Sequence, residues 1–367
     1  NAMALQLGLV GLPNAGKSTL FNALTRAHAA VAPYPFTTID PHIGVVAVPD
    51  PRLDALAKLI HPDKVTPTTL EVVDIAGLVK DAHKGEGLGN QFLGHIRNVD
   101  AIAMVARCFR NADVPIESGE LDPRDDLAVL ELELALADMG TAHKRLNTVR
   151  TASKAGKKEF DAELELLDRV HAHLAKGHPA RTLELNEAEA ALVRPLQLLT
   201  AKPLLFIANI GENDVPGGGE LAARVQSIAQ SAKAEAMIVC AACEMDLAEW
   251  SGEDAAQYRK ELGLAESSLE RVIRSAYRLL DLITFFTATG GKELRAWTLT
   301  RGATAVDAAA QVHTDMARGF IRAEVIGSET LLANGSLAIA RDKGLLRLEG
   351  REYVVQDGDL IHFRFSI

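Results

Sequence analysis

Gly11-Leu-Pro-Asn-Ala-Gly-Lys-Ser18 is a complete G-x-x-x-x-G-K-[ST] stretch, and its flanks decide how it folds. Upstream, Leu5-Gln-Leu-Gly-Leu-Val10 has the pattern of a buried strand; downstream, Leu20, Phe21 and Leu24 recur at helical spacing in Ser18 to Thr25. Strand, glycine-bearing turn and helix start, in that order, predict a phosphate cradle. Gly11 and Gly16 let successive backbone N–H groups turn inward on an anion, and the helix N-terminus adds its positive end. Asn14, Ala15, Gly16, Lys17, Ser18 and Thr19 are the expected nucleotide contacts. Lys17 is placed to bridge the β- and γ-phosphates, and Ser18 to offer its hydroxyl to Mg²⁺.

Two companion stretches separate a nucleotide switch from a metabolic kinase. Pro35-Phe-Thr-Thr-Ile39 follows the first helix, and Thr38 there is a candidate second hydroxyl for Mg²⁺. Thr69-Leu-Glu-Val-Val-Asp74 reads as a strand ending in Asp74-Ile-Ala-Gly77. An Asp at a strand's C-terminal edge suits a Mg²⁺-bound water, and the Gly77 N–H suits the γ-phosphate. Lys17, Thr38, Asp74 and Gly77 form the expected catalytic set, with Ser18 and Thr38 on the metal. Lys80 to Asn90, with Gly85, Gly87 and Gly89, reads as a switch loop rather than a dinucleotide fingerprint. After Gly77 stands Leu78, which cannot orient water by hydrogen bonding, so hydrolysis is expected to be slow or to need help. Asn14 has two readings, a hydrogen bond within the loop or a ligand to a monovalent cation such as K⁺ beside the phosphates.

The strand Pro203-Leu-Leu-Phe-Ile-Ala-Asn209 leads into Asn209-Ile-Gly-Glu212, at the place where guanine-specific proteins carry Asn-Lys-x-Asp. The Lys is absent, and Glu212 is one carbon longer than Asp. A carboxylate facing adenine N1 would repel it, so adenine would be read by backbone groups near Ile210 with Glu212 turned away. That favours ATP over GTP; the rival reading keeps Glu212 on guanine. Cys240-Ala-Ala-Cys243 is expected beside the base.

Composition bounds the remainder. A chain of 367 residues with 48% hydrophobic content holds two or three domains. A net charge of −10 argues against general nucleic-acid binding, so any RNA contact is local. Asn1 and Ala2 read as a tag remnant before Met3, no stretch reads as a signal or membrane span, and a cytoplasmic protein is expected. Three cysteines make no disulfide framework. Cys240-x-x-Cys243 ends the apolar run Met237-Ile238-Val239 and is read as strand-end packing without a thioredoxin-type helix start; a working dithiol is the alternative.

Taken together, the chain resembles YchF, the Obg-like ATPase family, over Met3 to Ile367. The resemblance rests on Asp74-Ile-Ala-Gly-Leu-Val-Lys80, Lys84-Gly-Glu-Gly-Leu-Gly-Asn-Gln-Phe-Leu93, Asn209-Ile-Gly-Glu212, Arg295-Ala-Trp-Thr298 and His313-Thr-Asp-Met-Ala-Arg-Gly-Phe-Ile-Arg322. It implies ATP preferred to GTP, a hydrophobic residue in the place of the water-orienting Gln, and binding to the large ribosomal subunit, with a role as a switch in translation or stress regulation. The alternatives are a GTP-selective regulator and a non-hydrolysing, nucleotide-gated RNA- or ribosome-binding protein. The chain departs from the family where Ile116 and Met104 stand at positions usually held by His, and neither can move a proton.

From Asp125 to about Leu199 the spacing turns helical. Leu127, Leu130, Leu134 and Met139 form one stripe and Leu164, Leu167, Val170 and Leu174 another, which predicts a helical hairpin inserted into the nucleotide domain. Lys144, Arg145, Arg150, Lys154, Lys157 and Lys158 make its tip basic, either a solvated face or an RNA contact. His171 and His173 diverge on a helix and argue against a metal site. After about Ile283 the expectation is a strand at Leu294–Thr300, a helix at Ala305–Met316, strands ending in Tyr353-Val-Val and at Leu360–Phe365, and the last hairpin turn at Asp357-Gly358. This portion resembles a TGS-like β-grasp module; Trp297 is read as core, with a base-stacking platform as the alternative. The fold class is α/β, a P-loop NTPase divided as 3–124, helical insertion 125–199, 200–282, and C-terminal module 283–367.

Overall fold

The computed structural model describes residues 5–28, 42–75, 88–111, 120–154, 160–250 and 252–366. Thr38, Gly77, Leu78, Lys80 to Gly87, Ile116, Lys157 and Lys158 lie outside the described residues. In chain order the elements are β1 (Gln6–Val10), α1 (Lys17–His28), β2 (Ile43–Ala47), α2 (Pro51–Ile60), β3 (Lys64–Thr66), β4 (Thr69–Asp74), α3 (Leu88–Asn98) and β5 (Ala101–Cys108). Then come α4 (Pro123–Lys154), α5 (Asp161–Ala175), α6 (Glu187–Val193), β6 (Leu204–Ile210), α7 (Gly219–Ser231), β7 (Glu235–Val239), α8 (Ala241–Leu247), α9 (Gly252–Glu261) and α10 (Ser268–Leu279). The last part holds β8 (Leu282–Thr289), β9 (Glu293–Thr300), α11 (Ala305–Val312), α12 (Thr314–Arg318), β10 (Phe320–Gly327), α13 (Ser328–Asn334), α14 (Leu337–Asp342), β11 (Arg347–Glu349) and β12 (Asp359–Phe365).

The first sheet runs β2-β4-β1-β5-β6-β7, with β2 antiparallel to β4 and every other pairing parallel. Every residue of β5 and β6 is buried, which explains why both read as unbroken apolar runs. Alternate residues serve opposite faces, as strand geometry requires. Ile102, Met104, Phe206 and Ala208 pack with α3, α7 and the start of α4; Ala103, Val105, Leu205 and Ile207 share a core with α1 and α10. This is the α/β sandwich expected of a P-loop domain.

The inserted hairpin is α4 and α5. Leu127, Leu130 and Leu134 sit on the sheet, while Ala142, Leu146 and Val149 are buried with Leu166, Leu167, Val170 and Leu174 of α5. Asp138, fully buried, accepts from Leu199 N at 2.7 Å, Thr200 N at 2.8 Å and Thr200 Oγ1 at 2.6 Å, and so fastens the returning chain. Near the tip, Arg145 pairs with Glu163 at 2.5 Å and Arg150 with Asp168 at 3.1 Å. Of the three cluster members whose side chains are described, Lys144, Arg145 and Arg150, two are therefore ion-paired within the hairpin. His171 and His173 do not converge: the ring of His171 lies near His143 and that of His173 near His178. Among the described residues no helix is long and apolar enough to cross a membrane.

The second sheet runs β11-β10-β12-β8-β9-β3. Its first surprise is β3, which lies between two strands of the nucleotide sheet in sequence yet pairs parallel with β9. Helix α2 follows it across, burying Leu53 and Leu56 against Phe286, Leu294, Ala296 and Ile326. Arg52 of α2 reaches Asp357, at 3.0 and 3.1 Å, before β12. Residues 51–66, which the sequence reading kept within the first nucleotide segment, thus pack on the C-terminal sheet.

Other expectations for this portion need correction. The single helix over Ala305–Met316 is two helices broken at His313, whose backbone is extended (φ −163°) and whose ring caps α12 by accepting from Asp315 N. Tyr353-Val-Val is not a strand: Val354 forms only an isolated bridge with Thr304, flanked by Ala305 N donating to Tyr353 O and Val355 N donating to Ala303 O, and the Tyr353 hydroxyl donates to Asp359 at 2.7 Å. Asp357-Gly358 is a turn with Gly358 at φ +90°, but it feeds β12 into the sheet between β10 and β8 rather than closing a hairpin. Trp297 is partly buried against the core around Phe285, with its Nε1 donating to Thr287 Oγ1 at 2.9 Å.

Candidate functional site

The P-loop leaves β1 at the C-terminal edge of the parallel sheet. Two glycines there are required by space. A Cβ on Gly11 would lie 2.8 Å from Val105 O, and Gly16, at φ +81°, would put one 2.1 Å from Asn209 Nδ2. The loop closes with Ala15 N donating to Leu12 O and enters α1 with Leu20 N donating to Gly16 O. Lys17 is buried at 7% exposure, whereas Ser18 stands exposed and Thr19 half-buried on the first turn.

β4 brings its last residue to the same place. The Lys17 ammonium pairs with the Asp74 carboxylate, and Ser18 Oγ donates to Asp74 Oδ2 at 2.9 Å. Asp74 is itself fixed by backbone bonds, its N donating to His42 O at 2.8 Å while Ile75 N donates to Leu9 O. A cation, a hydroxyl and a carboxylate therefore meet at the mouth of the cradle. Hydroxyl and carboxylate oxygens are hard donors, the chemistry that suits Mg²⁺, so the residues present fit that ion. Among the described residues no group of three or more His, Cys, Asp or Glu could hold a metal ion. Asn14 is exposed at φ +64°, and its side chain makes no hydrogen bond to the loop among the described residues.

At the far side, Asn209, next to last in β6, is 3% exposed and uses both ends of its amide within the protein. Nδ2 donates to Ala15 O at 3.0 Å, and Oδ1 accepts from Ala241 N at 3.1 Å. This side chain braces the P-loop to the β7–α8 turn. Ile210 is buried in the core, while Glu212 is exposed at the start of a short 3₁₀ turn, Glu212–Asp214.

Two features escaped the sequence reading. Arg107 is buried, donates from Nε to Phe109 O at 3.2 Å and lies 4.9 Å from the Phe109 ring centre; that ring flanks Gly16. The Arg107-Cys-Phe109 run was the available signal. Also, α8 begins directly after Cys240, whose Sγ accepts from Cys243 N at 3.4 Å. The expected absence of a helix start at this pair is thus overturned: the cysteine sulfur takes the capping place that Ser or Asp usually fills. Met104 is buried in β5 and contributes packing.

With this geometry in view, the comparisons with known proteins are specific. A family model described as 50S ribosome-binding GTPase matches residues 6–149, and the model YchF-GTPase_C, described as a protein of unknown function, matches residues 282–366. The ribosome-binding ATPase YchF of Bacillus subtilis is 49% identical over 367 residues, covering all of both chains. That of Escherichia coli O157:H7 is 47% identical over 365 residues, again covering all of both. Among solved structures, the YchF GTPase of Schizosaccharomyces pombe aligns at a TM-score of 0.89 and 34% identity, covering 98% of this chain and 97% of that one. Sequence identity sustained from end to end, together with a shared three-dimensional arrangement of both sheets, shows that this chain belongs to the YchF family.

Proposed function

We propose that this chain is a ribosome-associated P-loop ATPase that binds ATP in preference to GTP and hydrolyses it slowly, acting as a switch in translation or stress regulation. One observation carries the chemistry: Asp74 gathers the Lys17 ammonium and the Ser18 hydroxyl at the mouth of a backbone cradle. The partner is inferred from the relatives, which are named ribosome-binding ATPases; the large subunit is the expected docking body.

In this reading the cradle amides from Asn14 to Thr19 hold the phosphate oxygens, and Lys17 exchanges Asp74 for the β- and γ-phosphates as the triphosphate enters. Ser18, with Thr38, would hold Mg²⁺, and Asp74 would take one of its waters. Bound Mg²⁺ would neutralise charge that develops on the departing phosphoryl group. The Gly77 N–H would donate to the γ-phosphate. Leu78 offers the attacking water no hydrogen bond, which keeps turnover low until a partner assists. Backbone at Ile210 would read adenine with Glu212 turned to solvent. An exposed Asn14 amide leaves an oxygen for K⁺ beside the phosphates.

Calorimetric titration with ATP and with GTP at matched Mg²⁺ tests the base assignment, and tighter binding of GTP would overturn it. Lys17→Ala should lose triphosphate binding and turnover together. Co-sedimentation with isolated large and small ribosomal subunits tests the partner, and equal or absent binding to both would remove that part of the proposal.

A further inference from the structure

Cys240 and Cys243 lie outside the phosphate chemistry, yet they are the only cysteines in the sequence apart from Cys108. Cys240 is buried at the end of β7, and Cys243, one turn into α8, is half-buried. The backbone already folds the pair together, since Cys243 N donates to Cys240 Sγ at 3.4 Å. Both thiols line one cavity of about 80 Å³, walled by Ile210, Ile238, Leu247 and Leu264. A single water needs only about 10–15 Å³, so a molecule of two oxygen atoms has room.

We propose that Cys240 and Cys243 form a reversible disulfide on reaction with a small hydroperoxide admitted to this cavity, with Cys240 as the attacking sulfur. The two thiols are chemically unequal. A hydrogen bond from the Cys243 thiol holds Cys240 below the usual thiol range, while that same bond, with burial, pushes Cys243 up. In hydrogen peroxide, the Cys240 thiolate attacks one oxygen, the O–O bond breaks, and hydroxide leaves to take a proton from solvent. Cys240 is then a sulfenic acid. The Cys243 sulfur, giving up its proton, attacks the Cys240 sulfur; the S–O bond breaks and water leaves. In sum, two thiols and one peroxide give one disulfide and two waters. Cys108 is the internal control: burial pushes its thiol up to about 12, and it should not react.

The turn that this bond would close also carries Ala241 N, the group that holds Asn209. The disulfide itself does not depend on which nucleotide the cradle takes, so its test stands apart from that reading.

The test exposes the full chain to hydrogen peroxide, blocks remaining thiols with iodoacetamide after denaturation, and reads the peptides by mass. The expected result is a peptide spanning 240–243 that has lost two hydrogens and resists alkylation, with Cys108 fully alkylated and both thiols restored by dithiothreitol. Cys243→Ser should accumulate a dimedone-trappable sulfenic acid at Cys240, and Cys240→Ser should slow oxidation of Cys243 by roughly tenfold or more. The proposal fails if both wild-type thiols stay alkylatable at a peroxide dose that oxidises glutathione in the same tube. It fails equally if Cys240→Ser reacts at the wild-type rate.

Discussion

Gly16 and Asn209 make a paired prediction that isolates the brace between the P-loop and the base side of the site. Asn209→Ala leaves Ala15 O and Ala241 N without partners in a buried place, at about 1–3 kcal/mol each, or roughly 4 kcal/mol in all. Gly16→Ala incurs left-handed backbone strain of about 1–2 kcal/mol. Its new Cβ would also stand 2.1 Å from Asn209 Nδ2 and must push that amide off both bonds. The next nearest group, outside Asn209 itself, is Phe109 Cε1 at 3.6 Å, an ordinary contact. In the double variant the clash has no partner, so the lost Asn209 bonds are counted once rather than twice. Denaturant unfolding of the four chains without nucleotide should therefore give a double-variant loss smaller than the sum of the singles by roughly 2–4 kcal/mol. Losses that add to within about 0.5 kcal/mol would show that the brace does not exist as described.

Asp122, just before α4, accepts from Arg124 N at 2.9 Å and from Arg224 Nη1 at 3.0 Å, and its bonds to the Arg124 side chain hold its carboxyl down at about 2. A lowered folded value means that its stabilisation is complete above the ordinary 3.8 and is lost as pH falls toward 2. Thermal melts should show Asp122→Asn losing about 1 kcal/mol near neutrality, with the gap to wild type narrowing below pH 4. Arg52→Met should cost about 1–3 kcal/mol by leaving Asp50 and Asp357 without their shared guanidinium, read by urea unfolding of the full chain. ATP turnover should be faster in potassium than in sodium buffer, and Asn14→Ala should erase the difference while leaving nucleotide binding measurable by calorimetry.

What the sequence made legible was whatever depends on local pattern. The runs Leu5–Val10, Thr69–Asp74 and Pro203–Asn209 became β1, β4 and β6 within a residue or so, because strands buried on both faces need continuous apolar residues. The hairpin followed from helical spacing at Leu127, Leu130 and Leu134. Three-residue β3 has no such signal, since Lys64-Val-Thr66 is held by its partner β9 rather than by its own alternation. Tyr353-Val-Val looked like a strand because aromatic and β-branched residues favour one, yet Val354 is 44% exposed and Asp359 claims the tyrosine. The start of α8 was hidden by a sulfur in the capping position. Asn209 was legible as a site residue, but its partners Ala15 and Ala241 lie 194 and 32 positions away, beyond any motif.

The excursion of residues 51–66 onto the far sheet has a practical corollary for anyone who would cut the molecule into parts. A fragment ending before Leu282 would keep every strand of the nucleotide sheet, yet it would strip the cover from Leu53 and Leu56 and leave β3 as an orphan ribbon. The complementary fragment would lack its edge strand and the guanidinium that clasps Asp357. Each half carries an organ of the other, and the same stitch joins the C-terminal sheet to both β2 and the strand that ends on Asp74.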